Sequence, residues 1–285
     1  MTVPEAEWPA KPTALFADLY ELTMMQAYLR EGLTAKSVFS LFPRRLPSTR
    51  NYLIACGLET VLEFPEQFHL DKDKIAYLVT LKLFTPDFLN WLSGFRFTGD
   101  VYAVPEGTPV FGNEPLVEIV APLAEGQYFE TIVMNQIHLQ TLLACKASRV
   151  VSAARGRKVI DFGARRMHGT EAANKAARTF HIAGVHATSN LAAGHAFGIP
   201  VAGTMGHSYI QAHKTESDAY RAFTGIYPET VLLIDTYDTL EGAKRVVELA
   251  NWLAPRSTFS RASDRNITCL WAVAPPFKLI AGSFT

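Results

Sequence analysis

Residues 159–211 constrain the fold of this chain more than any other part of the sequence. Three short apolar runs lie there, at 159–160, 181–185 and 199–202, and each is followed at once by small and polar residues. Alanine-rich segments of good helix propensity separate the runs. A strand, a polar loop and a helix that recur in this order predict a parallel sheet with right-handed crossovers.

The polar loops after these strands indicate a binding site. In parallel α/β proteins, the loops that follow the strands open on one face, where ligands bind. The loops at 162–166, 186–190 and 203–208 carry Arg, His, Ser, Thr and Asn side chains. We therefore expect this face to bind an anionic small molecule.

The composition excludes several classes of partner. Lys and Arg together number 27, as do Asp and Glu, so no overall charge favours nucleic acid or an acidic membrane surface. Cys56, Cys145 and Cys269 form no CxxC pair, and an odd, sparse cysteine count is typical of a reducing compartment. Residues 1–12 do not resemble a signal peptide, and no apolar run approaches the roughly 20 residues of a membrane span. We therefore expect a cytoplasmic α/β protein.

Helix and strand signals extend over the rest of the chain. Thr13 is predicted to cap a first helix that Gly32 ends. Strands are predicted at 38–42, 95–104, 116–121, 230–234 and 269–274, and helices at 52–63, 71–82, 86–92, 125–155, 215–223 and 240–253.

These signals predict a flexible arm at 1–12, an N-terminal α+β domain at 13–124, a connecting helix with a partial α/β barrel at 125–254, and an atypical tail at 255–285. A closed parallel barrel needs on the order of eight strands. The second half of this chain offers four or five. The predicted fold class is therefore α/β, with an irregular, incomplete (β/α) barrel.

The segment DFGARR at 161–166 leaves a predicted strand through a glycine. Gly163 allows the backbone to approach a ligand closely. Arg165 and Arg166 supply forked donors suited to phosphate or carboxylate, and Phe162 can stack on an aromatic ring. The structural alternative is a surface arginine pair beside a core phenylalanine.

The segment GTMGHS at 203–208 places polar side chains between glycines, just before a predicted helix. Thr204, Ser208 and the local backbone N–H groups can surround an anion. His207 can act as a base, an acid or a phosphate acceptor. A purely structural histidine is the alternative.

Two acidic residues end the predicted strand at 230–234. Asp235 and Asp238 are placed where carboxylates hold Mg²⁺ or ribose hydroxyls. For Asp238 the alternative is a helix cap. Tyr20 lies on the first helix, where spacing alone predicts that it packs in the core.

Seven blocks, in order along the chain, resemble the nicotinate phosphoribosyltransferase family. They read ADLYELTMMQAY at 17–28, FSLFPRRLPSTRNYLIACGLE at 39–59, GDVYAVPEGTPVFGNEPL at 99–116, DFGARR at 161–166, TSNLAAG at 188–194, GTMGHS at 203–208 and LLIDTYDT at 232–239. The resemblance implies a barrel of the type II phosphoribosyltransferase kind. It also implies the reaction of nicotinate with phosphoribosyl pyrophosphate to give nicotinate mononucleotide and pyrophosphate in NAD biosynthesis, coupled to ATP hydrolysis and assisted by Mg²⁺.

The resemblance further implies residue roles and a homodimer. His207 matches a histidine that becomes phosphorylated, and Thr204 matches a nicotinate-binding position. Tyr20 matches a residue that stacks on the pyridine ring from a partner subunit, Phe162 matches the opposite side of that ring, and Arg165 matches a phosphate contact. The predicted substrate-binding residues are Tyr20, Phe162, Arg165, Thr204, Ser208 and Asp235, with His207 as the catalytic residue and no protein metal ligand assigned.

The resemblance stops at Pro255, which leaves several interpretations open. One is an active nicotinate phosphoribosyltransferase. A second is a C-terminally truncated, catalytically inactive member of that family, which would form little or no product. A third is another phosphoribosyltransferase type, because VLLIDTYDT at 231–239 faintly resembles a loop that binds phosphoribosyl pyrophosphate elsewhere. A preference for nicotinamide over nicotinate is a smaller variation.

Overall fold

The computed structural model describes residues 13–253 and the backbone of two further strands, at 268–273 and 278–283. The arm predicted at 1–12 lies outside the described residues, as do residues 254–267, 274–277 and 284–285, which include most of the predicted tail. The chain forms two compact units, an N-terminal unit at 1–201 and a C-terminal unit at 202–285.

Both units mix helices and strands. The N-terminal unit contains α1 (Leu19–Glu31), β1 (Lys36–Leu41), β2 (Leu53–Ile54), α2 (Leu58–Gln67), α3 (Lys72–Thr80), α4 (Pro86–Ser93), β3 (Asp100–Ala103), β4 (Pro109–Val110), β5 (Val117–Pro122), α5 (Leu123–Tyr128), α6 (Glu130–Ala154), β6 (Ile160–Asp161), a 3₁₀ turn (Ala164–Arg166), α7 (Thr170–Ile182), β7 (Ala187–Thr188) and α8 (Leu191–Phe197). The C-terminal unit contains α9 (His207–Gln211), α10 (Glu216–Ile226), β8 (Val231–Leu233), α11 (Thr239–Leu253), β9 (Thr268–Val273) and β10 (Lys278–Ser283).

An antiparallel sheet with the strand order β1-β5-β3 supports the N-terminal unit. In the central strand β5, Val117, Ile119 and Ala121 are buried and alternate with partly exposed neighbours. This alternation is what a sheet with one face on the core requires. The strands predicted at 38–42 and 116–121 are confirmed, whereas the strand predicted at 95–104 is limited to β3.

The first helix begins later than predicted. Thr13 starts a turn, in which the Phe16 N–H donates to the Thr13 carbonyl at 2.8 Å, and α1 begins only after Asp18. Glu21 accepts a hydrogen bond from the Asp18 N–H at 3.0 Å, as in a capping box. Gly32 ends the helix with a left-handed φ of 71°, as predicted.

The helix predicted at 52–63 is wrong in its first half. Leu53 and Ile54 form β2, which pairs with β4, and α2 starts after Gly57. Gly57 has a φ of 104°, and a Cβ there would lie 2.5 Å from the Gln136 carbonyl oxygen. A backbone of this shape ends the strand and turns the chain into the helix.

The strand predicted at 181–185 is also wrong. Helix α7 continues through Ile182 and ends at a turn in which Gly184 has a φ of 99°. The strand is the short β7, which pairs in parallel with β6, and Thr188 bridges Val201 in parallel. The apolar run at 181–185 is therefore the last helical turn and its exit. The three parallel neighbours 160–161, 187–188 and 201 confirm the expected parallel arrangement.

The long helix predicted at 125–155 is confirmed as α5 and α6, which are divided at Phe129. The buried face of α6 repeats every three to four residues, as an amphipathic helix requires. That face includes Ile132, Val133, Ile137 and Ala144.

A partly buried ion pair joins α7 to the start of α2. Glu106 accepts hydrogen bonds from the N–H groups of Gly57 and Leu58, at 2.5 and 3.1 Å, and from both terminal nitrogens of Arg178. Burial alone would raise the pKa of the Glu106 carboxyl, but Arg178 and the Gly57 N–H outweigh it and hold this pKa below its ordinary value.

The C-terminal unit is built around β8. Strand β9 pairs with β8 in parallel, and β10 pairs with β9 antiparallel. Tyr220 of α10 is fully buried and its hydroxyl donates to the Leu233 carbonyl at 2.8 Å. The strands predicted at 230–234 and 269–274 and the helix predicted at 240–253 are confirmed. Among the described helices, none is long and apolar enough to cross a membrane.

Candidate functional site

The loop after β6 carries the first group of predicted site residues, in the N-terminal unit. Asp161 ends the strand, and its Oδ1 accepts a hydrogen bond from the Gly163 N–H at 2.8 Å. A 3₁₀ turn at Ala164–Arg166 follows. Side chains of the loop are therefore presented at the carboxyl end of a parallel strand, where α/β folds bind ligands.

The side chains of this loop differ in exposure. Phe162 is half-buried, whereas Arg165 and Arg166 are exposed. A half-buried ring keeps one side available for stacking. Exposed guanidinium groups can approach a phosphate or carboxylate in two-pronged geometry.

Tyr20 lies in the first turn of α1 and is 43% exposed, so its predicted place in the core is wrong. Its environment lifts the phenol pKa to about 12, first by desolvation and then through a hydrogen bond to Glu130 and the charges of Glu130, Glu21 and Asp18. The side chain therefore stays neutral even well above neutral pH and presents a partly exposed aromatic ring.

Within the described residues, the rings of Tyr20 and Phe162 make no ring contact, although Tyr20 and Phe162 belong to the same unit.

The C-terminal unit carries the second group, in the loop between Val201 and α9. The Thr204 hydroxyl donates to the Val231 carbonyl at 2.7 Å, which ties the loop to β8. Met205 is buried in the core of this unit beside Ile210 and Leu232. The proton of the Thr204 hydroxyl is therefore occupied, and its lone pairs remain for other partners.

His207 begins α9 after Gly206, and both His207 and Ser208 are exposed. The His207 Nδ1 lies 3.2 Å from the Thr236 hydroxyl, which belongs to the loop after β8. Helix α9 has only five residues, so most of the anion attraction expected here must come from side chains and loop N–H groups rather than from a long helix.

The two acidic residues after β8 have different roles. Asp238 caps α11, because its Oδ1 accepts from the Glu241 N–H at 2.9 Å. Asp235 is partly buried, and its Oδ1 is fully buried without a hydrogen-bond partner. A buried, unpaired carboxylate oxygen is costly unless a cation or donor satisfies it.

The described residues contain no group of three or more His, Cys, Asp or Glu side chains arranged to hold a metal ion.

Two hydroxyl residues next to the predicted site were missed by sequence analysis. Thr188 donates to Asp161 Oδ2 at 3.0 Å, and Thr236 contacts His207. Thr188 ends β7, and Thr236 lies in the loop after β8; they belong to the quoted blocks TSNLAAG and LLIDTYDT. A polar residue at a strand end was the signal that could have identified them.

Comparison with known protein families matches most of the chain. The profile described as the nicotinate phosphoribosyltransferase N-terminal domain matches residues 15–138. The profile described as the nicotinate phosphoribosyltransferase family matches residues 157–258.

Individual proteins give the same result. The chain is 56% identical over 243 residues to nicotinate phosphoribosyltransferase pncB2 of Mycobacterium tuberculosis, which covers 85% of this chain and 52% of that protein. It is 38% identical over 248 residues to nicotinate phosphoribosyltransferase of Bacillus subtilis, covering 86% of this chain and 51% of the relative. The chain thus spans about half the length of these curated relatives.

The structure is similar to the crystal structure of human nicotinic acid phosphoribosyltransferase. The TM-score is 0.75 at 25% sequence identity, and the match covers 84% of this chain and 59% of the human one.

Proposed function

The chain belongs to the nicotinate phosphoribosyltransferase family, with an α/β fold of the type II phosphoribosyltransferase kind, and on this premise we propose its reaction. It transfers the phosphoribosyl group of phosphoribosyl pyrophosphate to nicotinate, giving nicotinate mononucleotide and pyrophosphate for NAD biosynthesis. ATP hydrolysis is coupled to this step. The names of the relatives support the active enzyme rather than the inactive, truncated alternative or another phosphoribosyltransferase type.

One observation carries the proposal most strongly. His207 is exposed at the end of the 203–206 loop, and the Thr236 hydroxyl 3.2 Å away fixes one of its ring nitrogens. Asp235, with its unsatisfied oxygen, directly precedes Thr236 in sequence. An accessible imidazole that a neighbouring hydroxyl orients is suited to receive and release a phosphoryl group.

In the proposed coupling step, an unprotonated ring nitrogen of His207 attacks the γ-phosphorus of ATP. The bond between that phosphorus and the β,γ-bridging oxygen breaks, and ADP leaves with the electron pair. Water later attacks the phosphorus, which returns the free imidazole and releases phosphate. This cycle makes His207 both a catalytic residue and a transiently phosphorylated one.

In the transfer step, the nicotinate nitrogen displaces pyrophosphate at the ribose C1. Cationic character develops on the sugar and negative charge on the leaving group, so fixed positive donors stabilise the transition state. Arg165 supplies such donors, and the half-buried ring of Phe162 offers a face for stacking to the pyridine ring. Thr204 is proposed as a nicotinate-binding residue, and its hydroxyl must turn from the Val231 carbonyl to donate to the nicotinate carboxylate, which only accepts hydrogen bonds. Ser208 contributes a further hydroxyl beside His207.

Magnesium fits this arrangement through Asp235. Mg²⁺ in phosphate-transfer sites is held by one or two carboxylates, with substrate phosphates and waters as the other ligands. The buried, unpaired Oδ1 of Asp235 meets that requirement without a dedicated cluster of acids. When bound, the ion neutralises charge on the pyrophosphate leaving group.

A homodimer belongs to the same proposal. Tyr20 and its neighbour Leu19 are 43% and 51% exposed on α1, which leaves both side chains available to a second copy of the chain. We expect Tyr20 of a second copy to complete the pyridine site.

A cytoplasmic location agrees with Cys56 and Cys145, which are buried and form no disulfide.

The test is direct detection of product. Purified protein is incubated with phosphoribosyl pyrophosphate, ATP and Mg²⁺, with nicotinate or nicotinamide as the acceptor, and both mononucleotides are separated and quantified. We expect nicotinate mononucleotide at about 1 per second or more. The proposal is refuted if neither acceptor gives a mononucleotide. If only nicotinamide gives product, the acceptor is nicotinamide and not nicotinate.

A further inference from the structure

We propose that Thr188 is a positioning residue for the site, acting through Asp161 to fix the loop that carries Phe162 and Arg165. This inference rests on the proposed function for its kinetic consequence. Its structural part concerns only the N-terminal unit and stands on the hydrogen bonds described there.

Asp161 connects the loops that follow two parallel strands. Its Oδ1 accepts from the Gly163 N–H at 2.8 Å, which shapes its own loop. Its Oδ2 accepts from the Thr188 hydroxyl at 3.0 Å, and its main-chain carbonyl accepts from the Ser189 N–H at 2.8 Å. One residue therefore links the loop after β6 to the loop after β7.

Thr188 serves as both donor and acceptor in this linkage. Besides its bond to Asp161, its hydroxyl accepts from the Asn190 N–H at 3.2 Å. Asn190 in turn caps α8 and donates to Asn174 of α7 at 2.8 Å. Thr188 is only 1% exposed, so water cannot replace its hydroxyl easily.

The close fit at Gly163 supports the same role. A Cβ at this position would lie 3.0 Å from Asp161 Oδ1, which is tighter than ordinary contact. The carboxylate thus lies directly against the loop backbone between Phe162 and the 3₁₀ turn that contains Arg165. A movement of the Asp161 side chain would therefore displace Phe162 and Arg165. A small misplacement of a binding group has a large kinetic cost.

The test compares two substitutions of Thr188. Thr188→Val keeps the shape of the side chain but removes its donor and acceptor, and Thr188→Ser keeps both. We expect the valine variant to raise the KM for nicotinate about tenfold. The serine variant should restore a KM within about threefold of the unchanged protein.

Thr179→Val is the matched control for stability. Thr179 is also fully buried in the N-terminal unit, and the hydrogen-bond partners of its hydroxyl are Gln140 at 3.5 Å and Cys56 at 3.6 Å, neither of which belongs to the two loops. We expect this variant to lower Tm without changing the KM for nicotinate. An equal rise in KM from Thr179→Val would overturn the inference, because loss of stability alone would then explain it.

Amide hydrogen exchange gives a readout that needs no substrate and no activity. In Thr188→Val, the amides of Gly163 and Asn190 should exchange about tenfold faster than in the unchanged protein. In Thr188→Ser, the same amides should exchange at nearly the rate of the unchanged protein. The inference is overturned if Thr188→Val changes neither the exchange rates nor the KM for nicotinate. It is also overturned if Thr188→Ser does not restore the values of the unchanged protein. If the unchanged protein forms no nicotinate mononucleotide, the proposed function fails, while the exchange rates still decide whether Thr188 positions the loop.

Discussion

Glu106 concentrates four hydrogen bonds on one carboxylate, two from backbone N–H groups and two from Arg178. Its side chain is 17% exposed and that of Arg178 is 18% exposed, so solvent screens the pair only partly. Removal of one partner from a pair of this kind leaves an uncompensated charge in a poorly solvated place. The residue therefore contributes to stability through its contacts and through its charge.

We expect Glu106→Gln to destabilise the protein by about 2 kcal/mol, less than the roughly 3–5 kcal/mol of a fully buried pair. The pKa of Glu106 is lower in the folded state than its ordinary value of 4.5, so its charge stabilises the fold above that pH. This contribution is lost as the pH falls through the folded pKa. Urea unfolding between pH 3 and pH 7 should therefore show a difference between the two proteins that shrinks toward low pH.

Glu241→Gln provides the control for this measurement. Glu241 forms an exposed pair with Lys244 at 2.6 Å, and its side chain is 51% exposed. Exposed pairs contribute little to stability, so we expect almost no change. A loss from Glu106→Gln that is as small as the loss from Glu241→Gln, or that does not vary with pH, contradicts the account of Glu106.

Tyr20 is the residue for which sequence spacing misled most clearly. Its position on α1 predicted burial, but the helix begins at Leu19, so Tyr20 lies in the first turn beside Glu130 and not in the middle of the apolar stripe. Only the helix start, which depends on Asp18 and Glu21, reveals this.

If the Tyr20 ring stacks on the acceptor, the ring matters more than the hydroxyl. We expect Tyr20→Phe to keep the KM for nicotinate within about twofold, and Tyr20→Ala to raise it roughly three- to tenfold. Because the phenol pKa is about 12, the KM of the unchanged protein should show no titration of Tyr20 between pH 6 and about pH 9. Equal KM values for the phenylalanine and alanine variants would refute stacking by Tyr20.

At the scale of elements, helix α11 packs on the end of β8 at one glycine. A Cβ on Gly242 would lie 2.3 Å from the Ile234 carbonyl oxygen, a distance that no real contact allows. The close approach keeps Asp238 at the helix start and so limits how far the loop with Asp235 and Thr236 can move.

Gly242→Ala should destabilise the protein by about 1–3 kcal/mol, since the helix must shift away from the strand. Gly225→Ala in α10 is the matched control, because no atom lies within 4 Å of its added Cβ. There we expect a gain of about 0.4–1 kcal/mol. Thermal unfolding of both variants checks the pair, and a neutral Gly242→Ala would show that α11 is free to move.

The sequence predicted elements well where hydrophobic periodicity is long, as in α6 and α11, or where alternation is clear, as in β5. It failed where two-residue strands carry too little periodicity to be recognised. Residues 53–54 read as helix because helix formers follow them, and 181–185 read as strand because an apolar helical turn and an apolar run look alike. The positive φ of Gly57 separates β2 from α2, and the positive φ of Gly184 follows the end of α7, so these two glycines mark the true boundaries.

At the scale of the whole molecule, the parallel pairing of β6 with β7 followed from the strand, loop and helix pattern, although β7 lies after the run that was predicted as the strand. The parallel pairing of β8 with β9 was not predicted, because that pattern is lost after Pro255. The loops carrying Phe162, Arg165 and His207 were found because glycine-rich polar segments after strands are recognisable. Thr188 and Thr236 were not found, because their roles exist only through contacts between loops that are distant in sequence. Their partners Asp161 and His207 lie 27 and 29 residues away.

The family match covers residues 15–138 and 157–258, and both groups of site residues fall within it. The central claim of the proposal is that phosphorylation of His207 drives transfer to nicotinate. His195 offers a control for this claim, because it is an exposed histidine on α8 outside the proposed site.

The most direct test measures ATP hydrolysis and nicotinate mononucleotide formation in the same reaction, for the unchanged protein, His207→Ala and His195→Ala. The account predicts coupled ATP hydrolysis and product formation in the unchanged protein and in His195→Ala. It predicts background ATP hydrolysis in His207→Ala, with any residual product independent of ATP. Coupling that survives in His207→Ala would contradict the account.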